Sequence, residues 1–198
     1  MAKNKVKYNL KNAHYAMLTV DEEGTVSYAS PVALPGAVSI SLDANGEPEN
    51  FYADGVAYYV INNNMGYDGD LELAMIPEDF RVSALNETLD DKKVLIENAN
   101  TELNPFALLL EFDGDVKHIR HVLSYCSASR PGIEGKTNEE NREVQTETLS
   151  IKATPLASGV VKAKTGDSTD AAVYADWYKA VYMPSIVETG SGTDQVGV

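Results

Sequence analysis

The sequence predicts a mainly β protein, and three observations support this prediction. Apolar and polar residues alternate with a period of two in several segments, among them residues 6–10, 38–42 and 71–75. Such alternation turns one side of an extended chain toward a core and the other side toward solvent or a partner. Asn-Gly and Asp-Gly pairs, which are typical turn formers, lie between such segments. Tyr, which is favoured in strands, is the commonest aromatic residue, with 11 copies against 4 Phe and 1 Trp.

The predicted elements follow in order. Strands are expected at residues 6–10, 15–20, 38–42, 56–61, 71–75, 106–112, 116–126, 144–153 and 160–164. Turns between them are expected at Glu23-Gly24, Asn45-Gly46, Asp54-Gly55, Asp113-Gly114 and Gly166-Asp167. The overall expectation is a β-sandwich or half-barrel with one or two short flanking helices.

Two segments have helical features. Pro77 stands where a helix can begin, Glu78 and Asp79 follow it, and Phe80 lies on the same face as Ala84. The second segment is 168–183, where Asp170 is a good helix cap and Val173, Trp177 and Val181 have helical spacing. Because residues 177–183 also alternate, we expect a short helix that passes into a strand.

The length of 198 residues suits one domain with a hydrophobic core. We expect a single β domain over residues 1–183, interrupted by a long polar loop at 128–143. Long loops inside compact domains are usually functional or mobile. Residues 184–198 are rich in Gly, Ser and Thr and are expected to form a separate C-terminal tail.

The net charge is −14 and is unevenly distributed. Between Lys11 and Arg81 there is no Lys or Arg, whereas the same stretch carries twelve acidic residues. Nucleic-acid affinity comes largely from Lys and Arg neutralising phosphates, so a surface built from this stretch is expected to repel DNA. The alternative interpretation is a solubilising acidic face.

Sites for metals, nucleotides and catalysis are not predicted. The run Gly132–Thr137 resembles part of a phosphate loop, but Arg130 stands where the first glycine is needed, and neither a strand nor a helix flanks the run. His118 and His121 would point to opposite faces of a strand, and with Cys126 they are too few for a metal site. Residues 68–72 match only a fragment of a calcium loop. No catalytic motif is found, and an enzyme is not expected.

The single Cys126 excludes an internal disulfide. The basic start of the chain is not followed by an apolar stretch, and no apolar run approaches the length of a membrane span. The expected product is therefore soluble, is not associated with a membrane and is made in a cytoplasm.

Two stretches carry a family resemblance. Residues 66–80 read GYDGDLELAMIPEDF, which joins an acidic strand to the helix after Pro77, and residues 6–16 read VKYNLKNAHYA. The strand at 142–153, followed by Pro155, fits the later part of the same pattern. Up to about Pro184 the chain resembles the major tail proteins, or tail tube proteins, of long-tailed non-contractile phages.

That resemblance implies a tail-tube type of β fold that assembles into hexameric rings, and these stack into a tube through loops and terminal arms. DNA passes through the lumen without tight binding. The resemblance further implies no enzyme activity, no cofactor, and partners that include tape-measure, tail-terminator and baseplate proteins. The expected location is the virion tail, after synthesis in the host cytoplasm.

Within this scheme two sets of residues are candidates for function. The expected lumen-lining residues are Asp43, Asp68, Asp70 and Glu72. The polar loop is expected to reach the next ring or subunit, through Arg130, Pro131, Lys136, Asn138 and Arg142.

Two alternatives stay open on the sequence. One is the tube of a contractile tail or a phage-derived bacteriocin, which shares the architecture. The other is a β-sandwich module that binds carbohydrate or a host surface, with Tyr58, Tyr59 and Tyr67 as stacking residues. Neighbouring Tyr58 and Tyr59 face opposite ways on a strand, so they do not form a shared platform.

Overall fold

The computed structural model describes residues 3–61, 63–137 and 142–185. In chain order, its elements are β1 (Lys7–Val20), β2 (Val26–Tyr28), β3 (Val32–Ala33), β4 (Ala37–Asn45), β5 (Glu49–Ala53), β6 (Val56–Ile61), β7 (Gly66–Leu73), α1 (Glu78–Ser83), β8 (Thr88–Leu89), β9 (Leu95–Ile96), β10 (Phe106–Gly114), β11 (Ile119–Ala128), β12 (Glu147–Ala153), β13 (Lys162–Lys164) and α2 (Ala171–Asp176). The prediction of a mainly β protein with two short helices is confirmed.

One large antiparallel sheet contains nine of the described strands. Its order is β2-β1-β10-β11-β12-β7-β4, with β13 paired to β11 and β3 paired to β1. Strand β1 lies near one end of this order and β4 lies at the other end. These two strands pack against each other. The sheet therefore curls into a half-barrel. The pairs β5–β6 and β8–β9 form separate two-stranded sheets.

The main core lies on the concave side of the half-barrel. Apolar side chains that alternate with polar ones along the strands fill it. In β12, Leu149, Ile151 and Ala153 are buried while the residues between them are exposed. Helix α1 closes the core by inserting Phe80, which packs edge-on against Tyr15 and Phe106 at ring distances of 4.9 and 5.2 Å. The prediction of a short helix after Pro77 is confirmed.

A smaller apolar cluster lies on the other side of β1, β10 and β11. There Trp177 and Val181 pack on Ala107, Leu109 and neighbouring side chains. Strand β10 is thus covered on both faces, which explains why its sequence is almost continuously apolar instead of alternating.

The segment that covers this cluster differs in part from the prediction. Asp170 caps α2 as expected, since its carboxylate accepts hydrogen bonds from the backbone N–H groups of Ala172 and Val173. The strand predicted after the helix is wrong, because residues 177–185 contain no strand. Backbone hydrogen bonds continue the turn past α2 instead, since the N–H groups of Lys179 and Ala180 donate to the Asp176 carbonyl.

Several strand boundaries also moved. Strand β11 begins at Ile119 instead of residue 116, because the Asn4 side chain holds the preceding turn. Its Nδ2 donates to the Lys117 carbonyl, and its Oδ1 accepts from the Val116 and Lys117 N–H groups. The short strands β2, β3, β5, β8 and β9 were not predicted. Of the expected C-terminal tail, residues 186–198 lie outside the described residues.

Candidate assembly surfaces

An acidic face lies on the neighbouring strands β4 and β7. Asp68, Asp70 and Glu72 alternate along β7 with side chains that point into the core. Asp43 of β4 lies directly opposite Asp68 in the strand register. The structure therefore brings the four predicted lumen residues together on one face of one sheet.

Hydroxyl groups of the flanking strands and loops fix the carboxylates on this face. Glu72 accepts hydrogen bonds from Thr146 Oγ1 at 2.7 Å and Ser39 Oγ at 2.8 Å. These two bonds, in that order of importance, lower the pKa of Glu72 because they stabilise its charged form. Ser150 Oγ donates to Asp70 at 2.8 Å. The hydroxyls hold the negative charges in place without neutralising them.

Like charges face each other at one position of this surface. Asp43 and Asp68 are cross-strand partners, an arrangement that costs stability within a sheet. The side-chain amide of Asn45 donates to Asp68 at 2.6 Å, and Lys152 lies opposite Asp68 on β12. Strand pairing alone therefore does not explain why Asp43 and Asp68 lie side by side.

The acidic face ends at an open sheet edge. Among the described strands, β4 pairs with β7 on one side and with none on the other. The bulge at Val38 leaves that side chain 51% exposed. Unpaired N–H and C=O groups along such an edge can be completed by a strand of another molecule.

The hairpin β5–β6 carries a second exposed surface, which is apolar. Phe51 and Tyr59 are cross-strand partners in this hairpin. Its exposed large apolar side chains are Phe51, Tyr52, Val56, Tyr58, Tyr59, Val60 and Ile61. A two-stranded hairpin is marginally stable by itself, and an apolar patch of this kind marks an interaction surface.

Sequence reasoning missed half of this hairpin. Strand β6 was predicted with its observed bounds, and the turn at Asp54-Gly55 was predicted, but β5 was not. The available signal was Phe51-Tyr52 immediately before an Asp-Gly turn. Tyr58 and Tyr59 are 71% and 63% exposed, which a hairpin with two open faces allows.

The polar loop between β11 and β12 is anchored at its start. Arg130 donates from Nη2 to the carbonyls of Asn98 and Thr101, at 3.1 and 2.9 Å, and its Nε lies 3.3 Å from Glu97. Its guanidinium is therefore engaged within the chain. Pro131 follows and lines a shallow groove beside Arg81.

The more distant loop residues point into solvent. Lys136 and Arg142 are exposed, and Ile133 is fully exposed. The candidate Asn138 lies outside the described residues. The structure thus separates the four described loop candidates into an anchored base, at Arg130 and Pro131, and exposed outer positions, at Lys136 and Arg142.

The residues considered for chemistry are scattered. Nowhere in the described ranges do three or more His, Cys, Asp or Glu side chains group as a metal site would require. Cys126 is fully buried, which raises the pKa of its thiol to about 12. His118 precedes β11 and contacts Asp113 at 2.8 Å, whereas His121 lies inside the concave side. Residues 68–72, which match a fragment of a calcium loop, lie within strand β7. Residues 132–137, which resemble part of a phosphate loop, have no regular structure.

The described helices are short. Neither is long and apolar enough to cross a membrane.

Comparisons with known proteins give distant structural likenesses. No family model and no curated protein matches the chain. A chain from the baseplate of the anti-feeding prophage aligns with 85% of this chain and 99% of its own length, at 11% identity and a TM-score of 0.46. A chain from the tube-terminating cap of the same kind of particle aligns with 83% of this chain and 96% of its own length, at 8% identity and a TM-score of 0.42.

Proposed function

We propose that this chain is the structural subunit of a phage tail tube, in which hexameric rings stack around an acidic lumen that conducts DNA. The observation that carries the proposal is the coincidence of the acidic face with an open edge. Asp43, Asp68, Asp70 and Glu72 share one sheet face, and β4 at its margin pairs with β7 but with no other described strand on its outer side. Pairing of that edge with a neighbouring copy would extend the same anionic face from subunit to subunit.

An anionic lumen suits the passage of DNA. Duplex DNA binds proteins mainly where Lys and Arg replace its counterions. Lys152 is the one basic residue that the described register places opposite the carboxylates of β7. A bore lined by this face would repel phosphates at every ring, so that DNA slides without being held.

The exposed hairpin β5–β6 supplies a reason for assembly. Its aromatic side chains gain hydrophobic stabilisation only when another surface covers them. A protein that remained monomeric would carry this patch as an aggregation hazard. Burial against neighbouring copies removes the hazard and drives polymerisation.

The loop between β11 and β12 is proposed as a further contact between rings or subunits. Arg130 anchors its base, while Lys136 and Arg142 offer cations to the acidic surface of another copy. The remaining partners in this scheme are the tape-measure, tail-terminator and baseplate proteins. The subunit is made in the host cytoplasm, acts without a cofactor or catalysis and ends in the virion tail.

Electron microscopy of the purified protein tests the proposal. The full chain at high concentration is expected to form rings or tubes in negative stain. Replacing Phe51 and Tyr59 by Ser is expected to abolish them while changing the free energy of unfolding of the monomer by less than about 0.5 kcal/mol, because both side chains are exposed. A wild-type chain that stays monomeric at all concentrations would contradict the proposal.

A further inference from the structure

A cleft of about 320 Å³ opens where the two ends of the curled sheet meet. Its walls come from both ends, with Lys7 of β1 on one side and Ile40 and Leu42 of β4 on the other. Its floor is apolar and includes Leu110 and Leu123, which are buried. Above this buried floor, the fold covers Ile40, Leu42 and Phe112 only in part, so the cleft offers some exposed apolar surface.

The rim of the cleft is basic, although the protein as a whole is strongly acidic. Lys7 Nζ lies 4.6 Å from the centre of the Phe112 ring, and Lys162 Nζ lies 4.2 Å from the centre of the Tyr67 ring. The described residues that line the cleft include no Asp or Glu. These ammonium groups therefore lack a carboxylate partner within the cleft.

His121 lies inside this cleft, and the Nε2 atom of its ring is buried without a hydrogen-bond partner. Burial, and after it the positive charges of Lys164, Lys7 and Lys162, together lower the pKa of His121 to about 4. The field in the cleft is positive. A ligand that fits this site combines apolar bulk with a negative charge.

The hairpin β5–β6 has those properties. Residues 47–61 contain three acidic residues, Glu47, Glu49 and Asp54, and no Lys or Arg. Asp54 and Gly55 form the tip, at φ values of 51° and 78°, and exposed aromatic side chains flank it. The hairpin of the same chain does not contribute to the described lining of the cleft.

We propose that the cleft between β1 and β4 receives the acidic, aromatic tip of the β5–β6 hairpin from a second copy of this chain. Asp54 then lies near Lys7 and Lys162, while the aromatic side chains beside the turn cover the apolar floor. Because the cleft and the hairpin are different surfaces of one chain, each copy donates one and receives one. Such a head-to-tail contact propagates into a ring or a filament. This inference rests on the proposed function, since it names the contact through which the copies assemble.

Charge exchange across the contact tests the pairing. Lys162→Glu and Asp54→Lys are each expected to raise the concentration needed for half-maximal assembly by about tenfold or more, because each places like charges together. The chain that carries both substitutions restores opposite charges between copies and is expected to return to within about threefold of the wild type. Sedimentation of assemblies over a concentration series measures this. Lys92→Glu, an exposed lysine in the β8–β9 turn, is the matched control and is expected to assemble like the wild type.

The outcomes separate this inference from the proposed function. The pairing would be overturned if Lys162→Glu assembled into tubes as readily as Lys92→Glu. It would also be overturned if the doubly exchanged chain assembled no better than either single variant. Either result would leave the tail-tube proposal intact. A chain with Asp54→Cys and Lys162→Cys, treated with a short bismaleimide, is expected to give covalent oligomers, while a partner cysteine at Lys92 gives none. Cys126 is buried and does not interfere. Cross-linking without tubes would support the pairing and contradict the tail-tube proposal.

Discussion

At the residue scale, one buried carboxylate joins several parts of the fold. Glu111 of β10 is 2% exposed and accepts hydrogen bonds from Arg120 Nε at 2.6 Å and Asn12 Nδ2 at 2.8 Å. The guanidinium of Arg120 in turn lies 3.9 Å from the Tyr174 ring and 5.2 Å from the Tyr178 ring. The pair therefore connects the sheet to the C-terminal segment that covers its outer side.

Replacing Glu111 by Gln should lower the free energy of unfolding by about 3 kcal/mol, because it leaves Arg120 without its charge partner in a largely buried place. Urea unfolding measures the change. Asp176→Asn is the control, since the Asp176–Lys179 pair is exposed at 59% and 75% and should contribute less than about 0.5 kcal/mol. Equal losses for the two substitutions would contradict this account.

His121 should make stability depend on pH. Its pKa in the folded protein is about 4, below its ordinary value of 6.5, because burial and nearby lysines disfavour the proton. The unfolded chain therefore binds more protons between these values, and stability falls as the pH drops through this window. Relative to His121→Gln, the wild type should lose about 1–2 kcal/mol between pH 7 and pH 4.5, allowing for partial exposure of the ring. Parallel stability curves for the two proteins would show that the ring is not in a positive, partly buried site.

At the element scale, the close contact of β7 with its neighbours sets the shape of the acidic face. Gly66 begins β7 at φ 107°, and a Cβ atom there would lie 1.8 Å from the Ala153 carbonyl oxygen. Only glycine allows β7 to start this near the end of β12. The register that places Asp68 beside the Asn45 amide and Asp70 beside the Ser150 hydroxyl depends on this start.

Gly66→Ala should therefore destabilise the protein by roughly 3 kcal/mol, through backbone strain and overpacking together. Thermal or urea unfolding checks the value. Gly132→Ala is the matched control, because a Cβ there meets nothing within 4 Å. A small effect at Gly66 would mean that the strand can shift to make room.

The sequence predicted some elements well and others poorly, for physical reasons. Alternation identified β7 and β12, because each has one buried and one open face, and it identified β4, whose inner face is partly buried. The helix after Asp170 was predicted correctly, but the strand after it was not, because residues 177–183 fit both periods and hydrogen bonds to the Asp176 carbonyl continue the turn. The basic cleft could not be predicted, since Lys7, Phe112 and Lys162 are far apart in the sequence and the β4 wall of the cleft joins them only when the sheet curls.

At the scale of the whole molecule, charge is separated between two surfaces. The convex face of β4 and β7 is acidic, and the cleft at the meeting of β1 and β4 is basic. In a tube this separation assigns one surface to DNA and the other to a neighbouring subunit. The two roles can be altered independently.

Replacing Asp70 and Glu72 by Lys should leave tubes intact but slow DNA ejection, because the lumen would then attract phosphates. Ejection rates of particles assembled with this variant measure the effect, and binding of short duplex DNA to purified tubes at low salt gives a second readout. Glu22→Lys with Glu23→Lys makes the same charge change in the exposed β1–β2 turn and should leave both unchanged. Unaltered ejection with the β7 variant would count against these residues as lumen residues.

The most direct measurement is a cryo-electron microscopy reconstruction of the assemblies that the full chain forms. The account predicts closed rings in which the free edge of β4 meets a neighbouring copy and Asp43, Asp68, Asp70 and Glu72 face the central channel. A reconstruction with those carboxylates on the outer surface, or with lysines lining the channel, would contradict it.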